Sequence, residues 1–331
     1  MSEDVVTVSA PARLHLGFLD PGGSLGRRFG GIGLALEAPE TTLSIRRSLR
    51  DAVSGHGAAR ATGHLAALRD AFGLSRTYDL TIETSMPSHS GLGSGTQLAL
   101  AIACGLRRLE GLELDPEADA ALLGRGHRSG LGVAFVTGGG VAVDGGKGTS
   151  DLPPPLIARL PFPRDWRVML VMDQSEEGFH GQAELDAFAA LPDFAEAKVA
   201  RICQLVLMTA LPGLAEQNLA AFGAAITEIQ ATVGAHFAPA QGGVFASAKV
   251  AAACEWLGAN GAHGIGQSSW GPTGFAFAGD QEQADRLMAR LTEAGLSSGL
   301  DLRIVHGRNR GISISRQSAG MGALSPRLVS G

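Results

Sequence analysis

The sequence predicts an α+β protein built as two domains, and three observations carry that reading. The chain has 331 residues, which suits two domains at roughly 150 residues each. Short, alternating apolar segments crowd its first third, and a proline-rich stretch, Asp151–Pro163, breaks the pattern near the middle. Beyond that stretch the strand and helix signals run β-α-β-β-α-β, with extra helices inserted.

Each element has its own justification. Val5–Ser9, Leu14–Leu19, Gly33–Leu36 and Thr41–Arg46 read as strands, being filled with β-branched or alternating apolar residues and punctuated by Pro and Gly. Ala58–Phe72 reads as an amphipathic helix with Leu65, Leu68 and Phe72 on one face. Tyr78–Thr84 alternates again, the loop Ser85–Ser94 follows, and a helix runs from Gly95 to Leu109. Val141–Asp144 is a short strand ending in Asp-Gly-Gly, a hairpin signal. In the second half, strands are expected at Arg167–Met172, Gly264–Ser268, Thr273–Ala278 and Leu302–His306. Helices are expected at Phe194–Ala210, Leu214–Thr232, Phe245–Asn260 and Gln281–Ala294. That order is the ferredoxin-like one. The expected domains are residues 1–155, carrying a phosphate-binding glycine loop, and 156–331.

Composition narrows the function. Hydrophobic residues make up 45% and charged residues 18%, against about 25% charged in typical chains, so a sizeable core forms and a disordered chain is excluded. Aromatics are 5%, with one Tyr, and the net charge is -5, which argues against a nucleic-acid surface. Cys104, Cys203 and Cys254 stand far apart in apolar helical patterns, which fits buried thiols in a reducing compartment rather than disulfides or structural zinc. The opening MSEDVVTV has no signal-peptide core. The longest apolar stretch, around Leu98–Cys104, is far short of the roughly 20 residues of a membrane helix. A soluble cytoplasmic protein is expected, without membrane or nucleic-acid partners.

The most informative segment is Pro87-Ser-His-Ser-Gly91-Leu-Gly93-Ser94-Gly95-Thr96, between a predicted strand and a predicted helix. Glycines let backbone N–H groups approach a ligand, and a helix N-terminus adds about half a positive charge. Ser94 and Thr96 add hydroxyls for a phosphate or a metal. The segment lacks the Lys-Ser/Thr of a Walker loop and matches neither GxGxxG nor GxSxG. A flexible strand–helix connection is the plain alternative. A second cluster, Gly264-Ile-Gly266-Gln-Ser-Ser269-Trp270-Gly-Pro-Thr273-Gly, lies between two predicted strands. Two small-residue loops from two domains suggest a ligand held between them, although a decorated hairpin also fits the second.

These segments resemble the GHMP kinase superfamily. Pro87–Thr96 is similar to its central PxxxGLGSS motif, Ala10-Pro-Ala-Arg13-Leu-His15-Leu-Gly17 to its N-terminal motif, and Ser268–Phe277 to its C-terminal glycine-rich motif. The resemblance implies a ribosomal-S5-domain-2-like N-terminal domain and a ferredoxin-like C-terminal domain. Two positions depart: Gly95 replaces the second Ser of GLGSS, and Gly132, in Arg128-Ser-Gly130-Leu-Gly132, replaces the Asp that commonly serves kinases as base. A closer resemblance is to the β-ribofuranosylaminobenzene 5'-phosphate synthase family, across nearly the whole chain. It is carried by Gly26-Arg-Arg-Phe-Gly-Gly-Ile-Gly-Leu-Ala-Leu-Glu37, Gly124-Arg-Gly-His-Arg128-Ser-Gly-Leu-Gly132, Ile202-Cys-Gln-Leu-Val-Leu-Met208, Gln241-Gly-Gly243 and Gly307-Arg308-Asn309-Arg-Gly311. That resemblance implies a decarboxylating C-ribosyltransferase. It would join 4-aminobenzoate, or 4-hydroxybenzoate, to phosphoribosyl pyrophosphate (PRPP), releasing carbon dioxide and pyrophosphate early in tetrahydromethanopterin synthesis. It also implies Mg²⁺ and a homodimer. The rivals are an ATP-dependent small-molecule kinase of the same fold and a catalytically lapsed ligand-binding protein.

Candidate substrate-binding residues follow from the loops and the resemblance. Arg13 and His15 alternate along a strand and either bind a phosphate or carboxylate or sit on a solvated face. Arg27 and Arg28 lie in a Gly-rich loop, where an anion or plain solvation is the choice. His89, Ser90, Gly91, Gly93, Ser94, Gly95 and Thr96 form the phosphate loop. His127 and Arg128 either face the cleft or end a helix as cations. Asp173 ends a strand and could hold Mg²⁺ or ribose hydroxyls, with Ser94 as a second metal ligand. Gln267, Ser268, Ser269 and Trp270 offer donors and a ring for an arene, or a structural Trp at a domain seam. Glu177-Gly-Phe-His180 has metal-like spacing but reads as a loop. Arg308 and Arg310 either help bind anions or pair with acids.

Overall fold

The computed structural model describes residues 4–175, 178, 187 and 190–318. Two sheets organise them. The first has seven strands: β1 (Val5–Asp20), β2 (Phe29–Ser48), β3 (Ala52–Gly55), β4 (Thr77–Thr84), β5 (Val141–Asp144), β6 (Leu156–Leu160) and β11 (Ser313–Gln317). Its main path runs β11-β1-β2-β4-β3, with β5 pairing β2 and β6. The second has order β10-β7-β9-β8, from β7 (Arg167–Asp173), β8 (His263–Gln267), β9 (Thr273–Ala278) and β10 (Leu300–Val305). Its neighbouring strands are antiparallel, which is the ferredoxin-like arrangement expected.

The first sheet differs from expectation in instructive ways. The four strands expected at its start are two long ones of 16 and 20 residues. Proline does not break them because it falls where the ladder needs no donor. Pro11 flanks a register shift, and Pro39 lies among residues looped out between the pairs Pro11↔Glu40 and Ala12↔Leu36. β5 joins no tight hairpin. It pairs with β6 across residues 145–155. Since β6 and β11 also belong to this sheet, the expected cut after residue 155 runs between two paired strands rather than between the sheets.

Helices on the first sheet are α1 (Ala58–Ala71), α2 (Ser94–Glu110), α3 (Pro116–Leu122) and α4 (Leu131–Thr137). α2 is buried along most of its length because Ala and Gly fill it. At Gly105 an added Cβ would stand 3.1 Å from Ile45 Cγ2 and 3.3 Å from Val8 Cγ2, so the helix lies close on the sheet. The second half adds α5 (Glu196–Leu205), a π-turn (Val206–Ala210), α6 (Leu211–Ala215), α7 (Leu219–Gln241), α8 (Ala248–Ala259) and α9 (Gln281–Glu293). One core joins the sheets: Leu14, Leu16, Ile32 and Leu34 cluster with Leu170, Phe275 and Phe277 through Phe222 and Ile226 of α7.

Among the described residues, one helical run, Glu196–Ala215, is long and apolar enough to cross a membrane. Its Val199, Ile202, Leu205, Val206, Ala210 and Leu214 pack into the shared core. Cys104 and Cys254 are buried as expected, whereas Cys203 is only half-buried, and none forms a disulfide. Glu177 and His180 lie outside the described residues.

Candidate active site

The glycine loop between β4 and α2 is held from two sides. Its Leu92 carbonyl accepts from Arg13 N–H of β1 at 2.9 Å. Ser268 Oγ donates to the Gly91 carbonyl at 2.8 Å and accepts from His15 N–H at 2.9 Å. Two glycines make this contact possible. A Cβ on Gly91, whose φ is +83°, would meet the Ser268 carbonyl at 2.1 Å, and one on Gly271 would meet the Gly91 nitrogen at 2.3 Å. The loops of the two halves therefore touch backbone to backbone.

Gly93 then starts α2 in the left-handed region, φ 78°. Its carbonyl accepts from Thr96 and Gln97 N–H, so the first-turn N–H groups of Ser94 and Gly95 point out of the helix's own ladder. No acidic residue lies in this first turn. Both features make the helix end an anion site.

A cavity of about 430 Å³ opens there. Of the expected residues, Arg13, His15, His89, Gly91, Gly93, Ser94, Gly95, Thr96, Arg128, Ser269 and Trp270 line it, as does His127. Sequence reading missed Arg60, Arg125 and Phe18, which line it too. Arg60, on α1, donates to Ser88 Oγ at 3.0 Å. Arg125 Nη2 lies 3.4 Å from His64 Nε2, also on α1. The guanidinium groups converge where residue 95 has no side chain: a Cβ there would stand 3.5 Å from Arg125 Nη1 and 3.9 Å from Arg60 Nη1. Gly95, the departure from GLGSS, thus lies directly beneath two arginines at the helix end.

The electrostatics are one-sided. Burial, with Arg60 beside it, pushes the Arg125 pKa below its usual value. Burial and then the charges of Arg125 and Arg60 bring His64 down to about 4. Burial and Arg13 push His15 well below the usual histidine range. Both imidazoles are therefore neutral at pH 7. Behind the cavity, buried Asp144 accepts from Ser129 Oγ, Gly130 N–H and Gly146 N–H at 3.0 Å each, which fixes the loop carrying Arg125 and Arg128. Burial raises its pKa to about 6 against those hydrogen bonds.

Several expected residues lie elsewhere or serve the frame. Ser90 Oγ donates to the Pro87 carbonyl and shapes the loop. Arg27 donates to the carbonyls of Gly145 and Gly146, and Arg28 to that of Pro21. Gln267 Oε1 accepts from Ala246 N–H. Asp173 is outside the cavity lining. Burial would raise its pKa, but hydrogen bonds from Ser175 and Ser247 hold it below the usual value. Arg308 and Arg310 pair with Glu40 and Glu37, so the structure gives them to the frame.

Among the described residues the donor set does not make a resident Mg²⁺ site. Among the described residues no Asp or Glu lines the cavity, and no three His, Cys, Asp or Glu cluster as ligands. Asp173 is committed to serines, which leaves only the neutral hydroxyl of Ser94 from the expected pair. Hard cations need carboxylate or phosphate oxygens. Gly132, at the position of the kinase base, is closely packed: a Cβ there would lie 2.8 Å from Thr96 Cγ2, so Thr96 would have to shift.

A glycine loop capping a buried helix beside a ferredoxin-like sheet defines a GHMP-kinase-type protein. Family models described as "GHMP kinases N terminal domain" and "GHMP kinases C terminal" match residues 57–140 and 210–296. Mevalonate diphosphate decarboxylase from Staphylococcus aureus superposes with a TM-score of 0.67 at 15% identity, covering 95% of this chain and 98% of that one. Homoserine kinase from Cytophaga hutchinsonii gives 0.64 at 17%, covering 94% and 97%. These likenesses are of fold. Relatives by sequence are more specific: beta-ribofuranosylphenol 5'-phosphate synthase of Archaeoglobus fulgidus is 33% identical over 324 residues, 94% of this chain and 99% of the relative. The protein of that name from Methanothermobacter thermautotrophicus is 32% identical over 249 residues, 68% and 75%. The chain belongs to the beta-ribofuranosylphenol 5'-phosphate synthase family.

Proposed function

We propose that this protein is a pentosyltransferase that condenses PRPP with a para-substituted benzoate, 4-hydroxybenzoate or 4-aminobenzoate, and releases carbon dioxide and pyrophosphate. The observation that carries the reading is the pair Arg60 and Arg125 over the α2 N-terminus, with no described carboxylate lining the cavity to neutralise them. Cations held together without counter-charge cost stability, and a polyphosphate ligand offsets that cost. Pre-aimed donors of this kind act most where charge grows in the transition state. Here it grows on pyrophosphate as the bond from the anomeric carbon to its oxygen breaks.

The step balances without a protein base. The ring carbon bearing the carboxylate, activated by the para substituent, bonds to the anomeric carbon. The electron pair of the C–CO₂ bond returns to the ring, and carbon dioxide leaves where a proton would otherwise depart. A glycine at position 132, which offers no proton acceptor, suits such chemistry, whereas a kinase commonly needs a group there to accept a hydroxyl proton. Any Mg²⁺ would arrive on the diphosphate, since no carboxylate among the described residues lines the cavity. The relatives' name contains ribofuranosylphenol, which favours the hydroxy acceptor. Three cysteines outside disulfides fit a cytoplasmic setting. A homodimer and a place in tetrahydromethanopterin synthesis rest on family resemblance.

Carboxyl-labelled 4-hydroxybenzoate and 4-aminobenzoate, each incubated with protein and Mg²⁺ plus either PRPP or ATP, test the proposal. Label should be released as carbon dioxide with PRPP alone. No release from either acceptor, together with ATP-dependent phosphorylation of a small alcohol, would replace the synthase with a kinase.

A further inference from the structure

The large cavity has a small neighbour. His15, Phe18 and Ser269 line both, and Gln230 and Phe237 of α7 line the small cleft alone. The cleft measures about 20 Å³. A single water needs roughly 10–15 Å³ by this kind of measure, so the space takes one hydroxyl-sized group and no ring. The shared wall is two aromatic rings and a serine, all uncharged. His15 and Phe18 rings lie 4.3 Å apart, Phe237 meets Phe18 edge-on at 5.8 Å, and His15 is neutral.

Gln230 is pinned at the cleft. Its Oε1 accepts from Gln267 N–H at 2.9 Å. Its side chain lies on β8 at Gly266, where an added Cβ would stand 2.3 Å from Gln230 Cγ. At position 266 any residue but glycine would push it away. With Oε1 fixed, the amide Nε2 is presented as a donor, and it meets no acceptor among the described residues.

The reaction sets the orientation of an aryl acceptor. Its carboxyl-bearing carbon must reach the anomeric carbon, beside the arginines, so its para substituent is the far end. We propose that the acceptor ring lies against Phe18 and His15 and sends its para substituent into the small cleft, where Gln230 Nε2 donates to it. This assignment rests on the ribosyl-transfer reading above. Gln230 is then the residue that reads the para group. A phenolic oxygen accepts an N–H well. An aniline nitrogen is a poor acceptor, and its own N–H groups would face the amide donor. A site built to hydrogen-bond one group rejects the mismatched one because a buried donor is left unpaired.

The test is calorimetric binding of 4-hydroxybenzoate and 4-aminobenzoate to the full-length protein and to Gln230→Glu, with carbon dioxide release from PRPP measured in parallel. Glutamate keeps an oxygen for Gln267 N–H and replaces the donor by an acceptor. The native protein should bind the hydroxy acid at least about tenfold tighter, equivalent to about 1.4 kcal/mol, and Gln230→Glu should move the ratio at least tenfold toward the amino acid. Gln230→Met, which removes hydrogen bonding at nearly constant volume, should bring the ratio toward one and covers the case of a poorly folded Glu variant. A ratio unchanged in the folded variants, or no binding of either acid to the native protein, overturns the assignment. A shifted binding ratio without carbon dioxide release would instead sink the ribosyl-transfer reading and leave the cleft as a para-substituent site.

Discussion

Arg308 and Arg125 both withdraw guanidinium charge from water, and they are met in opposite ways. Arg308 is fully buried and donates to Glu40 Oε2 at 3.1 Å, to the carbonyls of Gly311 and Ser9, and to Ser313 Oγ. Those partners tie β1, β2 and β11 together, and Ser9 is itself hydrogen-bonded to Glu40. Arg125 is half-buried beside another arginine and a neutral histidine. A guanidinium met by carboxylates has spent its charge on the frame. One met by an imidazole keeps it for a ligand. The comparison separates architecture from site better than residue type does, since both kinds come from Gly-Arg segments of the sequence.

The largest expected effect tests the structural half. Arg308→Met strands Glu40 and several oxygens, and breaking a buried ion pair from one side typically costs ~3–5 kcal/mol. Glu40 is partly solvated, so urea unfolding should show a loss near ~3 kcal/mol. Affinity for pyrophosphate should be kept in the folded protein. A variant as stable as the native chain would remove the structural role.

Arg125→Met should do the reverse. Stability should hold or rise, because repulsion from Arg60 is relieved. KM for PRPP should rise on the order of 30- to 100-fold, equivalent to ~2–3 kcal/mol for one charged hydrogen-bonding group. If this variant unfolds as readily as Arg308→Met, the two regions do not differ as argued.

Gly132→Ala asks whether the closed base position matters. Its Cβ would press on Thr96 at 2.8 Å, and overpacking costs ~1–3 kcal/mol. Thermal melts should show the loss, with reduced turnover because Thr96 lines the cavity. An unchanged melt would mean that Thr96 moves freely and that position 132 is open.

What the sequence made legible follows the range of the interactions. The glycine loop, α2 and the ferredoxin-like order are local patterns, and they were readable from spacing and punctuation. The pairing of β11 with β1 joins Val5 to Gln317 across nearly the whole chain, and no local period encodes it. Arg60 and His64 stand four apart on a helix that reads as solvated on that side. Only the fold brings Arg125 between two glycines onto them. Asp173 looked like a metal ligand because it ends a strand, yet a serine two residues on and Ser247, far away in sequence, claim it. Donor type was visible, and partner was not.

The finest test of the comparison is His64 itself. A neutral imidazole can accept from Arg125 without cancelling its charge, which a carboxylate in the same place would do. His64→Ala should raise KM for PRPP by about tenfold, with kcat nearly unchanged, whereas His64→Gln, which still offers an acceptor, should stay within about threefold. The pH dependence has a definite sign. Unfolded His64 takes a proton near 6.5, while burial and the two arginines delay this in the folded protein to about 4. Between those values the unfolded chain binds more protons, so the native protein loses stability as pH falls through that window. His64→Gln lacks this contribution. Its Tm should therefore fall less steeply than that of the native protein from pH 6.5 to pH 4. Parallel curves would show His64 titrating normally in the folded state, and the imidazole would no longer explain how Arg125 keeps its charge.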